Sequence, residues 1–312
     1  MLEVIKPGPL SSVQDLGRHG LRHLGVSQAG VLDPIALKLA NTLLANDENT
    51  AAVEITIGLC EFIFHAPVNF VITGADLNAR VNDAPIYPGW RYAANAGDKL
   101  TFKQSREGLR AYLVVEGGFI NLDKQLESYS TDLMAEFGGV NGRPLQPGDT
   151  LMYRPSKAKV TQGAFLPSYE KLIHFIPGPH VELVSPQTLE VLNSTIWKVH
   201  SNSNRMGIRL SHHEALTHHQ SIATQAVHPG VIQLPPNGEP IILLNDCQTT
   251  GGYPIIGVIT QADMRHLSQL GAGDCIHLKS TSITDAAKES HRVQSHLNQL
   301  RLALTYKEKQ HE

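Results

Sequence analysis

Cysteine is nearly missing from this chain: Cys60, Cys247 and Cys275 are its three thiols in 312 residues, widely spaced and with no Cys-x-x-Cys pair. A disulfide framework and a zinc knuckle are therefore excluded. Aromatic residues make up only 6%, and no apolar run approaches the length that a membrane-spanning helix needs. The N-terminal stretch Met1-Leu2-Glu3-Val4-Ile5-Lys6-Pro7 has no charged-then-apolar signal pattern, so a cytoplasmic location is expected. Net charge is -3 and the basic residues are dispersed, which argues against a nucleic-acid partner.

Several chemistries are missing as well. There is no G-x-x-x-x-G-K-[ST] phosphate loop and no G-x-G-x-x-G after a strand. No methionine adjoins a lysine, so the chain carries no biotin itself, and no glycine-rich amidase signature occurs. Gly25-Val26-Ser27-Gln28-Ala29-Gly30 is one residue too long for a nucleophile elbow. His213 and His218, in a histidine-rich stretch, are five residues apart and would lie about 140° apart on a helix, the wrong spacing for metal ligands. No metal is expected there.

What remains is a soluble globular composition, 41% hydrophobic and 18% charged, with length for about two domains. Strand signals dominate. Val53, Ile55, Ile57 and Leu59 alternate with polar or small residues, and Val68, Phe70 and Ile72 do so before Gly74. Gly97-Asp98, Gly148-Asp149 and Gly273-Asp274 each precede an alternating run, and Pro7-Gly8-Pro9 is echoed by Pro177-Gly178-Pro179. Two helices stand out: one capped by Asp33 with Pro34 in its first turn, and one over about 285–306 with Val293, Leu297, Leu300 and Leu304 on one face. The expected architecture is mainly β: an N-terminal β-barrel-like domain over 1–165, a C-terminal barrel over 166–285 and a terminal helix over 286–312.

Between the apolar runs Ile241-Ile242-Leu243-Leu244 and Ile255-Ile256-Gly257-Val258-Ile259 lies Asn245-Asp246-Cys247-Gln248-Thr249-Thr250-Gly251-Gly252-Tyr253-Pro254. Ten residues exceed what a hairpin requires. They bring a carboxylate, an amide, hydroxyls and a phenol together, and Gly251 and Gly252 could take positive φ so that their N–H groups cradle an oxygen. An internally bonded turn fits the same residues. Cys247 reads as a small buried thiol, since no basic neighbour is evident in sequence. Upstream, Arg205 and Arg209 would project to one side of an extended segment and recognise a carboxylate or phosphate together, although two surface arginines on a strand fit equally. In the first half, Gln14-Asp15-Leu16-Gly17-Arg18 and Gly74-Ala75-Asp76 place charged groups in glycine turns.

Ser203-Asn204-Arg205-Met206-Gly207, the 245–254 loop, Gln14-Asp15-Leu16-Gly17-Arg18 and the 27–33 segment together resemble the C subunit of bacterial 5-oxoprolinase. That family includes an antagonist of a sporulation kinase inhibitor and the corresponding part of urea carboxylase. The resemblance implies two cyclophilin-like β-barrel units and a direct complex with the B subunit of the enzyme, completed by its A subunit. The implied reaction is ATP-dependent opening of the 5-oxoproline lactam to L-glutamate, in which phosphorylating the carbonyl oxygen activates a resonance-stabilised amide toward water. ATP is implied for the complex, not for this chain specifically. Cys247 stands where the family usually has a smaller residue.

On this reading the candidate catalytic residues are Asp246, Arg205 and Tyr253. Arg209, Gln248, Thr249, Thr250, Gly251, Gly252, Asp76 and Arg18 are candidate substrate-binding residues. Two rival expectations stand beside it: a regulatory protein that relieves a kinase inhibitor, and a carboxyltransferase acting on urea-like amides with biotin on another protein.

Overall fold

A computed structural model describes residues 1–165, 168–184, 187–212, 216 and 222–309. The histidines at 213, 218 and 219 lie outside these. The chain falls into two compact units: Met1–Arg18 with Ala29–Ser168 and His296–Glu312 in the first, and His19–Gln28 with Tyr169–Ser295 in the second.

In chain order, the first unit contains β1 (Leu2–Lys6), β2 (Leu10–Gln14), α1 (Pro34–Leu43), β3 (Ala52–Thr56), β4 (Gly58–Phe64), β5 (Val68–Asp76), β6 (Ala79–Val81), β7 (Ala84–Pro85), β8 (Trp90–Ala94), β9 (Lys99–Gln104), β10 (Glu107–Val115) and β11 (Thr150–Leu151). They form two antiparallel sheets, ordered β11-β1-β4-β9-β6-β7 and β2-β3-β10-β5-β8. One core joins them, with Val4, Phe62 and Leu100 from the first sheet and Val53, Phe70 and Leu113 from the second. Strands β5 and β10 are buried on both faces. Val71, Tyr112 and Val114, which alternate with the core residues, pack outward against Leu37 and Leu43 of α1.

Helix α1 begins where the sequence signals. The Asp33 carboxylate accepts from the N–H groups of Ile35 and Ala36, and Pro34 occupies the first turn, where it sacrifices no helical bond.

The second unit contains β12 (Leu172–Pro177), α2 (Val181–Val184), α3 (Thr188–Ser194), β13 (Ile196–Val199), β14 (Gly207–Ser211), β15 (Gln225–Ala226), β16 (Val231–Gln233), β17 (Ile241–Leu243), β18 (Thr250–Gly251), β19 (Ile255–Ile259), α4 (Met264–Leu267) and β20 (Cys275–Ser280). Seven strands close into a barrel in the order β12-β19-β16-β17-β14-β13-β20. The parallel pairing of β12 with β20 makes the closure. Strands β15 and β18 form a separate two-stranded ribbon.

The last helix, α5 (Ile283–Lys309), runs as the heptad-like spacing indicates. Leu297 is buried in the α1 cluster, with Leu300 and Leu304 packed beside it. The mainly-β class with a terminal helix therefore stands. No described helix is long and apolar enough to cross a membrane.

The Gly-Asp echoes have a local cause. Gly97, Gly148 and Gly273 all take positive φ, and the next residue, Asp98, Asp149 or Asp274, accepts with its carboxylate from the N–H three residues before it. Each aspartate N–H also bonds back to the carbonyl of that same residue. The pattern is one turn used three times to start a strand.

One strand reading needs correction. The alternation over 53–59 breaks after Thr56, because Ile57, Gly58 and Leu59 all have positive φ, which turns the chain from β3 into β4. Ile57 and Leu59 are consequently exposed.

Replacing Asp33 by Ala removes the cap of α1. It should lower unfolding free energy by about 1–2 kcal/mol in urea titration, and an unchanged midpoint would refute the capping role.

Candidate functional site

The polar segment 245–254 joins β17 to β19, but these strands are not neighbours. Both pair with β16: Ile232 lies opposite Ile242 on one side and Gly257 on the other. The connection must therefore pass over the end of a strand, which a hairpin turn cannot do. This accounts for its length.

Its backbone is fastened along the way. Leu244 N–H donates to Met206 O, Asp246 N–H to Arg205 O and Cys247 N–H to Leu244 O. Thr250–Gly251 then pairs with Gln225–Ala226 as the β15–β18 ribbon, and Val227 N–H donates to Thr249 O.

Arg205 and Asp246 face each other in a two-pronged ion pair. Arg205 Nε lies 2.8 Å from Asp246 Oδ2 and Nη2 lies 2.9 Å from Oδ1. The residues are only 3% and 4% exposed. The guanidinium fork matches the carboxylate geometry. This pair ties the turn before β14 to the loop after β17.

The expected clamp of Arg205 with Arg209 is not formed. Arg205 sits in the turn closed by Asn204 and Gly207, so strand alternation does not extend to it, and Arg209 on β14 is exposed. Both prongs of Arg205 and both oxygens of Asp246 are turned inward to each other. The pair braces the loop and is nearly closed to solvent.

Arg22, which no sequence feature singles out, is the second fastening. Its Nη2 donates to Gln248 O at 2.6 Å and to Val227 O at 2.8 Å, and lies 3.6 Å from Cys247 Sγ. Cys247 thus has a basic neighbour after all. Burial nevertheless pushes its thiol pKa up, outweighing the pull of the guanidinium. Arg22 opens a short 3-10 turn, 225 residues before Cys247, so only the folded chain could reveal the contact.

The two glycines also behave differently from expectation. Neither Gly251 nor Gly252 takes positive φ, so the N–H cradle is not built. Gly251 instead lies close to Gln233: a Cβ there would sit 2.5 Å from Gln233 Nε2 and displace the end of that side chain. Gln248, Thr250, Gly252 and Tyr253 are exposed, Tyr253 at 43%, and Thr249 is half-buried. These residues are the ones the loop presents to solvent.

Arg18 and Asp76 belong to the first unit, where both have local work. Buried Arg18 donates to the carbonyls of Gln125 and Ser130 and lies over the Phe137 ring. Asp76 accepts from Asn78 N–H and faces Arg106 at 3.6 Å. Beside Arg18, buried Asp15 accepts from both Ser128 and Ser130 hydroxyls and from Tyr129 N–H. Among the described residues no group of three or more metal-ligating side chains comes together.

Fold and loop together define a β-barrel unit carrying a braced polar crossover. A family model described as carboxyltransferase domain, subdomain A and B, matches residues 24–280, and the chain belongs to that family. It is 40% identical to the C subunit of 5-oxoprolinase from Escherichia coli over 303 residues, covering 96% of this chain and 97% of that protein. The corresponding Haemophilus influenzae protein is 35% identical over 96% of this chain. The Saccharomyces cerevisiae urea amidolyase is 31% identical, but this chain spans only 16% of it. Among solved structures, Kluyveromyces lactis urea carboxylase superposes with a TM-score of 0.88 at 28% identity over 96% of this chain and 29% of that one.

Two outcomes follow from this geometry. Arg205→Met should destabilise the protein by about 3–5 kcal/mol by leaving the Asp246 carboxylate buried without its guanidinium, and adding Asp246→Leu should restore much of the loss in the same denaturant assay. Thiol titration of the native protein should detect exposed Cys275 and leave Cys60 and Cys247 unmodified until unfolding; fast labelling of Cys247 would contradict its burial.

Proposed function

We propose that this chain is the C subunit of an ATP-dependent 5-oxoprolinase, acting with the A and B subunits to hydrolyse 5-oxo-L-proline to L-glutamate. The observation that carries this reading is the end-to-end match to the Escherichia coli 5-oxoprolinase polypeptide, 40% identical across 97% of that protein. The urea-processing relatives are several times longer than this chain and contain it as one segment. A carboxyltransferase acting alone on urea-like amides is correspondingly less well supported.

The chemistry divides between residues that hold the loop and residues that face the ligand. Arg205, Asp246 and Arg22 keep the crossover in one conformation, so that Gln248, Thr249, Thr250 and Tyr253 meet the substrate already positioned. Amide and hydroxyl groups suit the lactam oxygen, on which negative charge grows as the ring opens. The loop does not suit a triphosphate. It has no glycine N–H cradle of the kind that wraps a phosphate chain. ATP belongs to this reading as the co-substrate of the assembled complex.

The test is reconstitution. The three proteins together should release glutamate and ADP from 5-oxoproline, and omission of this chain should abolish the reaction. In the complete set, Gln248→Ala and Tyr253→Phe should each lower kcat/KM by roughly tenfold, the loss expected for one hydrogen bond made in the transition state. Undiminished activity without this chain would refute the reading.

A further inference from the structure

Gln233 is 1% exposed, yet its side-chain Nε2 makes no hydrogen bond among the described residues. The amide sits against Gly251 of the ribbon, so close that a Cβ at residue 251 would have to displace it. Gln225, whose backbone pairs with Gly251, has a buried Nε2 in the same condition. So does Arg22 Nη1, on the side chain whose Nη2 holds Gln248. All three unused atoms are nitrogen donors, and all three belong to residues that touch the short stretch 248–251 through their side chain or backbone.

An unpaired buried donor is costly, and native proteins carry few without a reason. Three of one kind beside one ribbon call for an acceptor-rich molecule. Two of the donors are neutral amides and one is a cation, which fits a singly charged carboxylate with a carbonyl oxygen better than a multiply charged phosphate. We propose that Gln233, Gln225 and Arg22 form a donor site along the β15–β18 ribbon for a small carboxylic acid bearing an amide carbonyl. The site deepens the 5-oxoprolinase reading and rests on it for the choice of ligand: 5-oxo-L-proline has one carboxylate and one lactam carbonyl. Gln233 and Gln225 serve the amide carbonyl, and Arg22 Nη1 serves the carboxylate.

The experiment is calorimetric titration of the purified full chain, and of its complex with the A and B subunits of 5-oxoprolinase, with 5-oxo-L-proline, N-acetylglycine, L-proline and inorganic phosphate. Binding of the first two and not of L-proline is expected. Gln233→Met, which keeps the volume and removes the donor, should weaken binding by about tenfold or more while leaving Tm unchanged or higher. A merely structural Gln233 would give the opposite pattern, a lower Tm with intact binding. Gly251→Ala, which pushes the Gln233 amide aside, should weaken binding to a similar degree, and the double variant should bind no worse than either single one. Gln225→Met provides a second, independent loss.

Phosphate binding that displaces 5-oxoproline, unchanged affinity in Gln233→Met, or no binding of either amide acid to chain or complex would overturn the site. Turnover reports on the function separately. A complex that fails to hydrolyse 5-oxoproline, with Gln233-dependent binding intact, would overturn the function and leave the site standing.

Discussion

Strand β16 lies between β17 and β19 and is bonded to both, and the candidate site follows from that placement. A chain leaving β17 has to cross the end of β16 before it can enter β19. Such a crossing carries a run of peptide groups that no barrel strand can satisfy, and each buried one needs a partner. The partners come from segments distant in sequence: Arg205 and Met206 from the turn before β14, Arg22 from the 19–28 segment, and the β15 strand. The polar richness of the segment has two sources, of which one is this need for internal bonding.

The Arg205–Asp246 pair shows how the two sources are separated. Burying two charges is expensive, and a well-packed apolar pair of similar volume would often be as stable. What the ion pair adds is geometry. A fork-to-fork contact fixes both distance and angle between the β14 turn and the crossover, whereas an apolar contact would permit sliding. Asp246 is then the inner end of the loop, and the solvent-facing residues Gln248 to Tyr253 are the outer part. Residue type alone cannot distinguish inner from outer, since a carboxylate is as plausible in catalysis as in bracing.

Legibility in the sequence follows the range of the interactions. The Asp33 cap, the Pro34 start, the terminal helix and the three Gly-Asp turns all depend on residues within a few positions of each other, and they are readable. The mainly-β class is readable from strand alternation and turn punctuation. The turn at Ile57, Gly58 and Leu59 is not, because two branched or bulky apolar residues with positive φ give no local signal, and their alternation imitates a strand. Arg22 is hidden by its 225-residue separation from Cys247, and the role of Gly251 by its dependence on a neighbour from β16. The loop itself stands out in the sequence as a candidate because its composition is unusual. Its internal division of labour is not.

Cys247 tests that division from the other direction. A thiol beside an arginine is the usual arrangement for a reactive cysteine, since the cation stabilises the thiolate. Here the guanidinium is already committed to the carbonyls of Val227 and Gln248, and the sulfur is fully buried among Val227, Val231, Leu243 and Ile255. Desolvation therefore prevails and the thiol stays protonated. The guanidinium lowers the thiol pKa less than burial raises it, so covalent catalysis at Cys247 has no support in this arrangement. The exposed groups of the crossover, Gln248, Thr250 and Tyr253, offer hydrogen bonds in place of a nucleophilic thiolate.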